Sequence, residues 1–181
     1  MMTRAYQEIY LNRVQSMLGD AFDYAVNTCG VPGDDFVKLF SVSSISKRME
    51  NGEPSVLLGK SGIETAIDVL TETTGRTPEA KPQDRFERSA EYWIGWAIAY
   101  YQWYSSRKYS EIFKALSFDD LQKMYITLHE ADITKFADIA DRKIIFPYPI
   151  NFSLIIREKL REEKELCKKP PELSDIDVRK S

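Results

Sequence analysis

The chain has 181 residues, of which 43% are apolar and 29% charged, a composition typical of one ordinary globular domain. Its 25 basic and 28 acidic side chains give a net charge of −3, which argues against binding nucleic acid mainly through the phosphates. The first residues lack the apolar stretch of a signal peptide, and Cys29 and Cys167 are the two cysteines. We therefore expect a cytoplasmic protein with reduced thiols.

The N-terminal third predicts two helices. Apolar residues recur at helical spacing from 5 to 29, and Gly30 followed by Pro32 ends that pattern. A second helix is expected after Gly33, with Asp34 as its cap.

Three capping boxes predict further helix starts. In this motif a Ser or Thr accepts a backbone N–H three residues on, while an acidic side chain at that position reaches back to the cap. The boxes are Ser61–Glu64, Ser117–Asp120 and Thr127–Glu130. The last two predict helices over 118–126 and 128–143.

The segment 91–105, EYWIGWAIAYYQWYS, contains all three tryptophans and four of the ten tyrosines. Its large rings share one side of a helical wheel, while Gly95 and Ala99 lie on a second side that is small or apolar. A helix that is apolar on both sides belongs in the middle of a bundle. The segment is also too short and too polar to span a membrane.

Two prolines in KIIFPYPI (143–150) predict a short extended segment, and Asn151 then caps a final charged helix to about Lys169. We predict an all-α fold of six to eight helices around the aromatic helix. We expect residues 1–150 to form the helical domain, and residues 151–181 to form a C-terminal charged helix with a mobile tail.

No local motif predicts catalysis, a metal site or a cofactor. Gly59-Lys60-Ser61 lacks the earlier glycine of a phosphate-binding loop, because Pro54 stands there. His129 is the single histidine and has no HExxH partner, and the acidic residues near it spread around their helix. These observations favour a non-enzymatic protein.

Residues 35–55 resemble the helix-turn-helix of small prokaryotic repressors, whose second half often reads ISRIENG. In this chain Lys47 and Arg48 are the candidate DNA contacts. Ser44 alone stands where that family has about three residues at the start of the recognition helix. The alternative interpretation is an amphipathic helix that ends at Gly52.

The aromatic helix also supplies candidate contacts for a ligand or partner: Trp93, Tyr100 and Tyr104, together with His129. A core position is the simpler interpretation of the rings. A cavity bounded by Trp93 or Trp96 that also contains polar groups would instead favour ligand binding.

Three stretches, 17–30, 91–112 and 127–141, resemble a family of bacterial proteins encoded beside ADP-ribosyltransferase-like proteins. That family has no established activity or site residues. The resemblance implies one component of a toxin–antitoxin-like gene cassette, with a protein partner encoded nearby.

Three hypotheses follow. The first is a regulatory protein-interaction protein, antitoxin-like, without cofactor or membrane segment. The second is a DNA-binding transcriptional regulator that uses residues 35–55. The third is a helical domain that binds or transforms a small ligand in an aromatic pocket. The sequence leaves the oligomeric state open.

Overall fold

The computed structural model describes residues 4–82, 87–145 and 161. The chain divides into two compact units, residues 1–147 and 148–181, and in the second only Arg161 is described. The described residues of the first unit form nine α-helices and no strand, which confirms the all-α prediction and adds one helix to the expected number.

The helices are α1 (Leu11–Asp23), α2 (Gly33–Val42), α3 (Ser44–Glu50), α4 (Pro54–Leu57), α5 (Gly62–Thr74), α6 (Ala90–Ser105), α7 (Tyr109–Ala115), α8 (Phe118–Leu128) and α9 (Ile133–Ile145). A 3-10 turn precedes α1 and a π-helical turn, Tyr24–Thr28, continues it. Within the helix predicted over 5–29, helical structure begins at Glu8 and ends at Thr28, in three differently wound pieces. The wider π turn displaces the residues after Asp23 relative to a regular helix.

Two of the three capping boxes are confirmed. Ser61 and Ser117 each accept the N–H of the acidic residue three positions on, and that residue's carboxylate accepts the N–H of the serine. The third box is wrong, because Thr127 lies inside α8 and α9 begins at Ile133. The carboxylate of Asp132 accepts the N–H of Thr134 at 2.8 Å, so an aspartate marks that helix start instead.

α6 occupies the centre of the unit, as its pattern predicts. α1 runs antiparallel along one side of it, with backbones so close that a Cβ on Gly95 would lie 2.3 Å from the carbonyl oxygen of Leu18. A Cβ on Gly19 would lie 2.8 Å from the ring of Tyr92. Glycine is therefore required at Gly95, where the neighbour is backbone, whereas a side chain at Gly19 would have to displace the Tyr92 ring.

The opposite side of α6 faces α8 and α9 through large rings. Trp93 contacts Tyr125 of α8 and Phe136 of α9, with ring centroids 5.7 and 5.6 Å apart in edge-to-face geometry. Further along α6, the hydroxyl of Tyr101 donates to the carboxylate of Asp141 at 2.5 Å.

A second aromatic cluster joins α1, α2 and α7. Phe22, Phe36 and Phe40 are fully buried and contact one another. Phe22 and Phe40 also contact Phe113, and Phe40 contacts Tyr109, with centroid distances of 4.8–6.4 Å across the cluster. Through Phe22, this cluster packs α1 against α2 and α7.

The C-terminal predictions are tested only in part. Residues 143–145 belong to α9, so the extended segment expected from 143 begins no earlier than 146. The remainder of that segment, and the helix expected from Asn151 to Lys169, lie outside the described residues apart from Arg161. Of the helices described, none is both long and apolar enough to cross a bilayer.

Candidate functional site

An open cavity of about 300 Å³ lies between the first two turns of α6 and the C-terminal end of α8. We call it the aromatic pocket. It is lined by Arg88, Ser89, Tyr92, Trp93, Trp96, Tyr125, His129 and Ala131. Four of these residues carry Tyr or Trp rings, and the polar groups stand among them.

The start of α6 is held in place by the end of α1. The Ser89 hydroxyl accepts the N–H of Tyr92 at 3.0 Å and donates to Asp23 at 2.5 Å. In the π turn that follows Asp23, the Asn27 amide donates to Asp23 and to Glu91, both at 2.9 Å. The first turn of α6 therefore has a fixed position, and so does the pocket wall it forms.

Trp93 and Trp96 lie one turn apart and differ in their surroundings. Trp93 is 9% exposed and is packed by the rings of α8 and α9. Trp96 is half-buried, and its carbonyl oxygen accepts a long hydrogen bond from Gln15 at 3.4 Å. Trp93 thus forms part of the core and of the pocket wall, whereas Trp96 presents more of its surface to solvent.

The wall from α8 is a pair of rings at helical spacing. The centroids of Tyr125 and His129 are 4.8 Å apart, and the Nδ1 of His129 lies 2.9 Å from the carbonyl oxygen of Tyr125. Because a carbonyl only accepts, Nδ1 carries a hydrogen, and in the neutral form of the ring Nε2 is an acceptor. Nε2 is 3.7 Å from Glu130, too far for a hydrogen bond.

Arg88 closes the pocket at the N-terminal end of α6. Its guanidinium lies 4.5 Å from the centroid of the Tyr92 ring, a cation–π contact that holds the side chain against the wall. Burial raises the pKa of the neighbouring Asp20, and the positive charge of Arg88 opposes that rise. The charge of Arg88 therefore favours the ionised form of the Asp20 carboxyl.

The structure brings together two of the four predicted contact residues. Trp93 and His129 face the same cavity, although 36 positions separate them. Tyr100 and Tyr104 lie further along α6, where their rings stack at 6.1 Å and Arg4 lies 4.4 Å above Tyr104. A role for any of the four in binding stays a prediction.

Sequence reasoning missed the polar and aromatic neighbours of these residues. Tyr125 precedes His129 by four positions, a spacing that places both on one face of α8. That signal was readable, and it would have added Tyr125 to the candidates. Arg88 gives no such signal, because its place in the wall depends on the fold of the chain before α6.

The segment that resembles a repressor motif folds as two helices, α2 and α3, joined at Ser43. Lys47 is exposed, but Arg48 donates to Glu53 at 2.7 Å and to Ser55 at 2.9 Å. The carboxylate of Glu72 accepts the N–H of Ser44 at the start of α3. An acidic group at that position repels phosphate, so these contacts do not favour the DNA hypothesis.

Buried polar atoms without a hydrogen-bond partner among the described residues form a further group in the core. They are the hydroxyls of Tyr6 and Tyr109 and both amide atoms of Gln102. Burial raises the pKa of Tyr109 well above its usual range, and Tyr6 and Glu50 add to that rise. These groups line no described cavity.

In the described part of the chain, no cluster of three or more His, Cys, Asp or Glu residues is arranged to hold a metal ion.

Comparison with known proteins adds no relative. No protein-family model, no curated protein and no solved structure matches the chain.

Proposed function

We propose that the protein is a regulatory binding protein, antitoxin-like in role, that holds a partner protein by accepting one of its side chains in the aromatic pocket. The observation that carries this proposal is the cavity itself, with Trp93 and Trp96 on one wall and Tyr125 and His129 on the other. Trp and Tyr are the residues that most often dominate binding energy at protein interfaces.

The volume of the pocket favours a single anchoring side chain. Sites for drug-sized molecules and cofactors range from about 300 to about 1,000 Å³. At about 300 Å³ this pocket is at the lower end of that range. It would bury one large side chain of a partner more completely than it would bury a nucleotide-sized cofactor.

The surface beside the pocket supports the same proposal. Ile126 lies one turn before His129 on α8, and 72% of its surface is exposed. Ile126 does not line the cavity, but as an exposed isoleucine on the same helix as Tyr125 and His129 it adds apolar surface for a partner that extends beyond the cavity. A protein partner uses both features, whereas a small ligand confined to the cavity uses one.

A small molecule is the second candidate occupant. The same rings and polar groups that suit an anchor side chain also meet the usual description of a ligand pocket. The two candidates differ in what Ile126 contributes, because only a partner that extends beyond the cavity contacts that residue.

Co-expression with the products of the adjacent genes tests the proposal. We expect one of them to copurify with the full chain, and any toxicity of that product to be relieved. Trp96→Ala should weaken the complex by at least about 30-fold, as expected for a central anchor. Tyr104→Ala is the matched control, since it removes a half-buried ring of α6 that is outside the pocket.

Each result has a distinct meaning. Neighbouring products that ignore the wild-type protein would contradict the antitoxin-like role. A complex that survives Trp96→Ala would keep the role but remove the pocket from it. If Ile126→Ser folds normally but binds the neighbouring gene product more weakly, the occupant of the pocket is part of a protein that also covers Ile126, and not a small ligand confined to the cavity.

A further inference from the structure

The aromatic pocket has a positively charged residue in its lining, and this charge indicates what kind of group the pocket binds. Of the described residues that line it, Arg88 carries a full charge and none is acidic. Within the described part of the chain, no carboxylate lies within 4.0 Å of the Arg88 guanidinium. Arg88 interacts with the Asp20 carboxylate only at longer range. A cation at the edge of an apolar cavity that makes no close ion pair among the described residues is complementary to an anion on whatever enters.

We infer that the group bound in the pocket is an aromatic side chain with a carboxylate next to it, supplied by the partner's polypeptide. This inference rests on the proposed function. The carboxylate comes either from an adjacent acidic residue or from the C-terminus of the partner. Both sources present the same planar anion to a guanidinium, which binds it through two parallel hydrogen bonds.

The rings explain why the side chain is aromatic. Trp93 and Tyr125 already meet edge to face at 5.7 Å, and Tyr125 and His129 lie 4.8 Å apart. A further ring that enters the cavity beside these contacts can adopt the same geometries with several neighbours at once. Such ring pairs contribute about 0.5–1.5 kcal/mol each beyond the area they bury.

Arg88 is prepared for the carboxylate by its contact with Tyr92. The guanidinium carbon lies 4.5 Å from the centroid of that ring, so Tyr92 covers one side of the cation. A carboxylate that binds N–H groups on another side leaves this contact in place, so the cation–π contact and the ion pair are compatible. Part of the entropy of fixing this side chain is thereby lost before the partner binds.

His129 complements a peptide on the other wall. Its Nδ1–H is donated to the Tyr125 carbonyl, so Nε2 is the acceptor when the ring is in its neutral form. A backbone N–H of the partner is the matching donor. An aromatic residue in a peptide therefore supplies three groups to the pocket: a ring between the walls, a carboxylate for Arg88 and an N–H for His129.

Titration of the full chain with three small probes tests this inference without the partner. The probes are N-acetylphenylalanine, its C-terminal amide, and N-acetylphenylalanyl-aspartate amide. Nitrogen-15 labelling of tryptophan gives one indole N–H signal for each of Trp93, Trp96 and Trp103, and Trp103 donates to the Tyr6 carbonyl away from the pocket. We expect the first two signals to move on titration and the third to stay.

The carboxylate should be visible as a difference between probes. An anionic probe should bind at least about threefold more tightly than the amide, as expected for one partly exposed ion pair. Tighter binding of N-acetylphenylalanine indicates a C-terminal source, and tighter binding of the aspartate probe indicates an acidic neighbour. Arg88→Gln should remove the difference, while Arg76→Gln, an exposed arginine outside the pocket lining, should keep it.

Equal binding of all three probes would overturn the carboxylate part of the inference. Signals of Trp93 and Trp96 that stay fixed at millimolar probe would overturn the aromatic part. Either failure leaves the proposed function intact if Trp96→Ala still weakens the complex with the neighbouring gene product. Conversely, probe binding without any such complex would leave this pocket chemistry standing and remove the antitoxin-like role.

Discussion

The two sides of α6 show how one helix can serve both as core and as binding surface. Towards α1 the helix is sealed by backbone contact, and a single added carbon at Gly95 would lie 2.3 Å from Leu18. Towards α8 and α9 it meets its neighbours through rings, and there the cavity of about 300 Å³ remains open. Small residues allow close packing, whereas large rigid rings at a helix crossing leave space that no other side chain fills.

Trp93→Ala should produce the largest loss of stability. It removes the ring that packs against α8 and α9 and that also lines the aromatic pocket. We expect a loss of about 3–5 kcal/mol in the free energy of unfolding, measured by urea denaturation. Trp96→Ala, one turn away and half-buried, should cost about 1 kcal/mol and keep the fold. Equal losses for the two variants would contradict the division of roles between these tryptophans.

Gly95→Ala tests the close packing between α6 and α1. Helix propensity alone favours alanine over glycine by about 1 kcal/mol. The contact with the Leu18 backbone should reverse the sign and cost about 3 kcal/mol. Gly75→Ala is the contrasting variant, since nothing lies within 4 Å of its added carbon and its φ of 71° alone penalises alanine, by about 1–2 kcal/mol. A Gly95→Ala protein as stable as wild type would show that the two helices can separate freely.

The local features of this fold could be predicted from the sequence, whereas the contacts between segments distant in the sequence could not. Ser61 and Ser117 cap helices as expected because a capping box involves only residues three positions apart. The similar box at Thr127 failed because α8 continues through that residue to Leu128, and Asp132 interacts with the next helix start. Short-range motifs compete with one another, and packing of the whole helix decides between them.

The candidate site illustrates the same limit. The helical spacing of Trp93 and Trp96 indicates that they share one side of α6. It does not indicate that the last turn of α8, with His129, is their neighbour. That contact depends on where α9 places Phe136 against Trp93 and on how α8 and α9 are joined. The aromatic helix was therefore correctly predicted to be central, while the question of core or pocket needed the fold.

Asp120→Asn probes the attachment of α8 to α9, on which the open side of α6 depends. Burial by itself would raise the pKa of Asp120, but hydrogen bonds from Lys143 of α9 and from Ser117 outweigh it and lower the pKa. Folding lowers the pKa of this carboxyl, so its charged form stabilises the protein at every pH above the pKa of the unfolded chain, about 3.9. That contribution disappears as the pH falls through the lower pKa of the folded state. The variant should therefore be less stable by about 1 kcal/mol at pH 7, and the difference from wild type should shrink as the pH falls below about 3.9.

Asp119→Asn is the control for this pH dependence. Asp119 is the adjacent aspartate, 65% exposed and paired with Lys123 on the surface of α8, so its loss should cost less than about 0.5 kcal/mol. Unfolding curves of the three proteins between pH 2 and pH 7 provide the measurement. If Asp120→Asn stayed less stable than wild type by the same amount at every pH, the loss would come from side-chain packing and not from charge. A charge-dependent loss, combined with weaker probe binding in the pocket at pH 7, would show that the ion pair between α8 and α9 also keeps the wall formed by Tyr125 and His129 in position.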